Sequence, residues 1–288
     1  MGSNKGKKYI WGTVIYPSAI QYFKENIVSL QCQTNKDFFI LIINEGIDSN
    51  EIKKMMACVE NAYYIVEAKN KDNPVLNRIQ LLNDAIKFGG DLLIIGDCDD
   101  LFSSDRAGKI IDAYNRYSDA SFFYNKIVYM DGSDAMPKLP EKTDSLYNVA
   151  QYNYLGMSNT AINLKKLDDN FLNSLNECCS NIFDWYLYSR IILNSGYGIK
   201  INDACTKYRI YGGNIAGVRS FSRENLLYEY TIKKKHYEML AKYDMLFEDL
   251  LKKISNLDID ELYINYNNAE YEKNRHYWWD LIQVEVAK

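Results

Sequence analysis

The sequence predicts an α/β fold, a mostly parallel central sheet flanked by helices, with a helical extension at its carboxyl end. Three observations carry this. Between residues 9 and 95, short apolar runs alternate four times with stretches whose apolar residues recur every three or four positions. The runs are continuous, as expected of strands buried on both faces. The fourth run breaks into Asp97-Cys98-Asp99-Asp100, placing carboxylates at the strand end where open α/β sheets bind ligands.

Residues 9–15 form the first strand. Ser18 and Gln21 make a capping-box pattern, after which Ile20, Phe23, Ile27 and Leu30 share one helical face. Residues 38–43 form a second strand ending in Asn44-Glu45-Gly46, and Ile52, Met55, Met56 and Val59 repeat the helical spacing. A third strand covers 63–66. A polar loop through Asn70 and Asp72 then leads to Val75, Ile79, Leu82 and Ile86, the helix before the fourth strand. This order implies right-handed crossovers and a Rossmann-like first half. No Gly-x-Gly-x-x-Gly turn follows the first strand, which argues against a dinucleotide oxidoreductase.

Ala107, Ile110, Ile111 and Tyr114 predict another helix, and residues 120–124 and 126–130 two further strands. Residues 131–160 lack periodicity and contain Pro137 and Pro140, as a substrate-facing or mobile segment would. A helix over 184–195 carries Trp185, Tyr188 and Ile192 on one face. Asp184 falls in its first turn, where the helix dipole favours an acid. From Ser222 onward, apolar steps of three, four and seven predict a long helix or a pair of helices, and the polar, aromatic stretch through Trp278 and Trp279 reads as helical too.

Thirty-four basic and 38 acidic residues leave a net charge of −4, which argues against a general nucleic-acid binder. The six cysteines form no Cys-x-x-Cys pair and have no His cluster beside them. Neither a zinc site nor a disulfide framework is indicated, and a reducing cytoplasm fits. No apolar run approaches the roughly 20 residues needed to span a bilayer, and the first strand meets Pro17 without a signal-peptide cleavage pattern. Any membrane work would be at the surface, at the inner face.

Crowded carboxylates repel one another unless a cation or hydrogen-bond donors compensate. Taken alone, Asp-x-Asp reads more readily as a solvated acid-rich turn. Further residues reverse that weighting. Ser29-Leu30-Gln31-Cys32-Gln33-Thr34 precedes the second strand, Asn44-Glu45-Gly46 ends it, and Asp105-Arg106 follows the acid cluster. Downstream come Phe183-Asp184-Trp185 and Tyr208-Arg209-Ile210-Tyr211-Gly212-Gly213-Asn214. In this order and spacing, residues 8–217 resemble the family 2 glycosyltransferases of the GT-A fold, leaving 222–288 as a carboxy-terminal helical extension.

The resemblance implies an inverting glycosyltransferase acting on a nucleotide-diphosphate sugar, with a glycan or lipid-linked acceptor and a role in polysaccharide biosynthesis. It implies a divalent cation, Mn²⁺ or Mg²⁺, on Asp99, with Asp97 nearer the ribose and metal-bound water. Asp100 would orient the strand end or contact the acceptor; a turn acid is an equal reading. Glu45 stands where the family's Asp accepts from the uracil imide, hence a lean to UDP, with Asn44 beside it. Arg78 would pair with phosphate or base, against a plain surface charge. Arg209 would clamp phosphate, against a structural salt bridge. Asp184 would be the base, and Trp185 would stack on an acceptor sugar or belong to the core.

Two departures weaken the match. Phe183 replaces the family's Glu and Tyr211 its His, and a phenol is a poor ligand for a hard cation near neutral pH, so weak metal dependence is expected. These changes, with Glu45 in place of the family's Asp, motivate an alternative, a catalytically impaired domain that binds nucleotide sugars or proteins. A nucleotidyltransferase would need a Gly-rich phosphate loop, which Tyr16-Pro17-Ser18 is not. Lys233-Lys234-Lys235 and Trp278-Trp279 would suit a peripheral membrane surface, against helices packing on the catalytic domain or on a second subunit.

Overall fold

The computed structural model describes residues 8–136, 138–211, 221–265 and 276–285. In chain order its elements begin β1 (Tyr9–Ile15), α1 (Ile20–Gln31), β2 (Phe39–Asn44), α2 (Ser49–Met56), β3 (Tyr63–Glu67), α3 (Pro74–Lys87), β4 (Leu92–Ile95), β5 (Leu101–Phe102) and α4 (Arg106–Arg116). There follow β6 (Phe122–Tyr129), β7 (Lys142–Thr143), β8 (Thr160–Asn163), α5 (Asp169–Ser174), α6 (Phe183–Leu193) and β9 (Gly198–Tyr208). The chain then forms α7 (Arg223–Leu240), α8 (Met245–Ser255) and α9 (Ile259–Asn265).

The strands make one sheet in the order β3-β2-β1-β4-β8-β6-β9-β5, with β7 on β9. β3, β2, β1 and β4 are parallel, as the alternation predicts. β8 enters antiparallel between β4 and β6, and β6 runs parallel to β9. The continuous strands have two buried faces. Ile10, Leu41, Leu93 and Ile95 point into one core with Ile79 and Leu82 of α3. Trp11, Ile40, Leu92 and Ile94 point into the other with Phe23 of α1 and Ile110 of α4. The two-residue period of a strand sorts neighbours to opposite faces, and each fully buried Ile or Leu is worth about 1.5–3 kcal/mol.

Several expectations are revised. Ser18 caps no helix: Pro17–Ala19 is a 3₁₀ turn, suited to the fixed φ of proline, and α1 starts at Ile20 without a side-chain cap. The two strands predicted after residue 120 are one, β6, whose register shifts between Asn125 and Lys126. β8, β9 and α5 were not foreseen, because each lacks a clear period in sequence. Among the described residues of the tail, only Ile259–Asn265 is helical beyond α8. Gly212, Gly213 and Asn214 lie outside the described residues.

α6 is buried on nearly every side, from Trp185 through Ile192, which marks a helix enclosed rather than half-solvated. The sheet covers one side and α7 another, with His236 stacked on Trp185 at 4.0 Å between ring centres. One apolar core therefore contains residues from before 217 and after 222, including Tyr188, Tyr237 and Trp278. Lys233, Trp278 and Trp279 are buried, while Lys234 is half-buried and Lys235 exposed. Among the described residues, no helix is long and apolar enough to cross a membrane.

Candidate active site

A cavity of about 570 Å³ opens at the carboxyl ends of β1, β2 and β4. Tyr16, Glu45, Asp72, Arg78, Asp97, Asp99, Asp184 and Tyr211 all line it. Ile127, Met157, Tyr208, Trp278 and Trp279 add an apolar wall. Of the residues singled out from the sequence, Glu45, Arg78, Asp97, Asp99 and Asp184 converge here. Asn44, Asp100, Trp185 and Arg209 do not line the cavity.

The acid cluster is shaped by a turn. The Asp100 amide donates to the Asp97 carbonyl at 3.2 Å, and Asn26 of α1 donates to the carbonyls of Asp97 and Asp100 at 3.0 and 2.7 Å. Gly96 before it must be glycine: a Cβ there would lie 2.5 Å from Phe102 and 2.9 Å from Trp11. Asp99 Oδ2 accepts from the Tyr211 hydroxyl at 2.6 Å and the Tyr16 hydroxyl at 3.1 Å. Burial raises both phenols above their usual range, with Asp99 adding to the shift. They therefore stay protonated donors at neutral pH.

Arg78 stands 3.5 Å from Asp97, the two side chains 24% and 26% exposed. Burial pushes the Asp97 carboxyl up and Asp99 pushes it further, against the pull of Arg78. Burial alone would lower Arg78, but Asp97 and Asp184 outweigh it and keep the guanidinium charged. Asp184, at the start of α6, accepts from the Trp185 amide at 2.7 Å. Burial raises its carboxyl to about 6, against opposition from Arg78. A carboxylate tuned toward neutrality beside a cleft is a candidate general base.

The other four serve the scaffold. Asn44 is buried and builds the turn after β2, donating to the Ile47 carbonyl at 2.7 Å and to the Glu67 carboxylate at 3.0 Å. Arg209 pairs with Glu25 at 2.7 Å, donates through Nε to the Asp99 carbonyl at 2.9 Å, and lies over the Tyr22 ring. Its amide donates to Asp100 Oδ1 at 2.9 Å, so Asp100 ties β4 to the end of β9. Burial and the neighbouring acids hold the Asp100 carboxyl well above the usual range. Trp185 is 0% exposed and donates to the Val149 carbonyl at 2.5 Å. Its indole sits in the core against His236, where no acceptor reaches it.

Sequence reasoning gave no role in the site to four contributors. Arg106 is fully buried, donating to Asn125 Oδ1 at 2.7 Å and to the carbonyls of Ile95, Ser158 and Thr160 at 2.8, 3.0 and 3.2 Å. It ties the end of β4 to β6 and β8. A signal existed: Arg106 falls on the same face as Ala107, Ile110 and Tyr114, a charge on an apolar stripe. Tyr16 gave no signal. Trp278 and Trp279 reach the cavity from the far end of the chain, which no local pattern encodes.

Asp97 and Asp99 offer two hard carboxylates to the cavity, the donor chemistry of a divalent cation that completes its shell with diphosphate and water. Among the described residues, no group of three metal-binding side chains occurs. A cation on Asp99 would compete with Tyr16 and Tyr211 for Oδ2.

No family model matches the sequence, and no curated protein is significantly similar to it. Solved structures are. TarS of S. aureus in complex with UDP-GlcNAc aligns over 91% of this chain and 77% of its own, at 13% identity and a TM-score of 0.60. The mannosyltransferase PcManGT from Pyrobaculum calidifontis, in complex with GDP-Man and Mn²⁺, aligns over 83% and 65%, at 11% identity and a TM-score of 0.57. GalNAc-T7 with UDP, GalNAc and Mn²⁺ aligns over 91% and 54%, at 12% identity and a TM-score of 0.57. At these identities the likeness is one of architecture: the chain has the GT-A fold, with carboxy-terminal helices packed against it.

Proposed function

We propose that this protein is an inverting glycosyltransferase that moves a sugar from a nucleotide-diphosphate sugar, UDP-linked by preference, to a hydroxyl of a glycan or glycolipid. The observation that carries the reading is one cavity holding Asp97 and Asp99 from the end of β4 together with Asp184 from α6. Arg78 feels both Asp97 and Asp184, so the acids that would face the diphosphate and the acid that would take a proton share one charged neighbourhood.

In the proposed reaction, the acceptor oxygen attacks the anomeric carbon as its proton passes to Asp184. The bond from that carbon to the diphosphate oxygen breaks, and the electron pair leaves with the diphosphate. One displacement inverts the configuration. Arg78 would offset the charge growing on phosphate oxygens, and Glu45 would accept from the base. A divalent cation held by Asp99 and Asp97 would supply further electrostatic stabilisation of the leaving group. The six free cysteines suit a reducing compartment, so the proposal places the enzyme in the cytoplasm, free or at the inner membrane face.

The hydrogen bonds of Tyr16 and Tyr211 to Asp99 favour a second reading, a domain that binds nucleotide sugars without turning them over. Turnover of any nucleotide sugar would exclude it. Thermal unfolding with UDP, GDP, CDP and dTDP, each with and without Mn²⁺, tests both readings. A ligand at about 100 times its Kd adds roughly 2.7 kcal/mol to the native state, and UDP is expected to give the largest rise. No shift with any nucleotide would overturn both.

Transfer should also depend on pH. A general base works deprotonated, and the Asp184 carboxyl, raised to about 6 by burial, loses its proton as pH climbs through that value. The rate is expected to rise with pH and level off above it, standing at pH 5 about tenfold below the plateau. A flat profile between pH 5 and 8 would remove Asp184 from the role.

A further inference from the structure

We propose that residues 276–285 complete the active site, and that Trp278 and Trp279 form an aromatic subsite for the acceptor, received as a sugar ring. This rests on the glycosyl-transfer reading above and adds the acceptor's chemistry to it.

The segment has no helix of its own, yet it is firmly docked. Trp278 exchanges two backbone hydrogen bonds with Asn153, at 2.9 and 3.0 Å. The Val284 amide donates to Gln151 Oε1, and the Ile282 amide to Glu229 Oε1, both at 2.7 Å. Lys233 of α7 donates to the Ile282 carbonyl. Glu229 and Lys233 pair at 3.5 Å with side chains only 3% and 1% exposed. Charges buried this deeply are costly unless their remaining bonds are met, and here backbone groups of the segment meet them. Trp279 also holds a left-handed backbone, φ +61°, a conformation costly for a non-glycine residue that persists where the surroundings over-determine it.

This docking places two large aromatic side chains, 8% and 5% exposed, on the cavity wall. Their position follows from the sheet order. Tyr16 and Glu45 follow β1 and β2, and Asp72 follows β3, while Ile127, Thr206 and Tyr208 lie on β6 and β9. Asp97 and Asp99, after β4, fall between the two groups. Trp278 belongs to the β9 group, 5.8 Å from the Tyr208 ring. It packs so closely on Gly156 that a Cβ there would lie 2.7 Å from the indole.

The two groups meet where Tyr211, just past β9, bonds to Tyr16, just past β1, at 3.2 Å, but away from that contact their chemistry differs. The β1–β3 end holds Glu45 and Arg78, suited to a base and phosphates. The β9 end, with Met157, Tyr208, Trp278 and Trp279, contributes no cation and suits no diphosphate. An indole face is electron-rich and attracts the weakly positive C–H groups of a pyranose. Asn181, exposed and also lining the cavity, offers its amide to a sugar hydroxyl, and apolar surface with few polar groups is the mix expected of a ligand site.

The test uses the full-length chain and the donor identified by nucleotide-dependent stabilisation, following nucleotide release with methyl glucoside, methyl galactoside and methyl N-acetylglucosaminide as acceptor probes. At least one glycoside is expected to accelerate release by wild type. Trp279→Ala should raise its KM about tenfold, Trp279→Phe should recover most of that loss, and the Kd for UDP should not move. If Trp279→Ala fails to fold, Trp279→Leu, which keeps apolar volume without a π face, carries the same reading. Acceleration by none of the glycosides, an unchanged glycoside KM in the variant, or a loss confined to UDP affinity would each overturn the subsite. If wild type neither binds nor releases nucleotide, the glycosyl-transfer reading itself fails, an outcome distinct from these three.

Discussion

Replacing Asp184 with Asn is expected to lower transfer by about 10²–10⁴-fold, the usual contribution of a positioned general base, while leaving nucleotide affinity unchanged. The exchange is nearly isosteric. It keeps the side chain's volume at the start of α6 and an oxygen able to accept from the Trp185 amide, which donates to Asp184 at 2.7 Å. What it removes is the negative charge and the capacity to take a proton. Isothermal titration with UDP, beside initial rates, separates the two effects. Transfer at the wild-type rate would show that the proton goes elsewhere. The residual activity of the variant should also lose the limb near pH 6, since the group that titrates there is gone.

Replacing Arg106 with Met is expected to cost about 3–5 kcal/mol of stability, as breaking a buried charged network typically does. Met retains apolar volume beside Trp11 and Phe102, over which the guanidinium now lies at 5.0 and 4.8 Å. The cost comes from acceptors left behind: the carbonyls of Ile95, Ser158 and Thr160 and the Asn125 side chain lose a donor in the core. A buried acceptor without a partner bears its full desolvation penalty. Burial already pulls the guanidinium down to about 9, still charged at neutral pH. Urea unfolding measures the loss, and a change below about 1 kcal/mol, the range of an ordinary surface substitution, would refute this account. Nucleotide affinity should fall as well, because Arg106 holds Ile95 two residues before Asp97.

The carboxylates show where sequence reasoning succeeds and where it stops. An apolar run that ends in acids is a local pattern, and β4 with Asp97 and Asp99 at its end follows from it. Asp184 in a first helical turn is equally local. Whether Arg209 reaches a phosphate is not: its neighbours Glu25 and Tyr22 lie on α1, far away in sequence, and they hold it on the scaffold. Asn44 was read as a donor contact, but its amide is consumed by the turn it builds. Trp185 had two readings, and the stacking of His236 decides for the core.

By itself, the sequence determined the alternation of strands and helices, the two-faced burial of the parallel strands, and the acids at the end of β4. These depend on periods of two and 3.6 residues and on the chemistry of single side chains, all local in the chain. Only the tertiary structure decided which ionisable groups share a cavity, that Tyr16 and Tyr211 bond to Asp99, and that Trp278 and Trp279 return to wall the site. Such contacts join residues as far apart as Tyr16 and Tyr211. They follow from how whole elements pack, and a period repeated along one helix or strand carries no record of its partner.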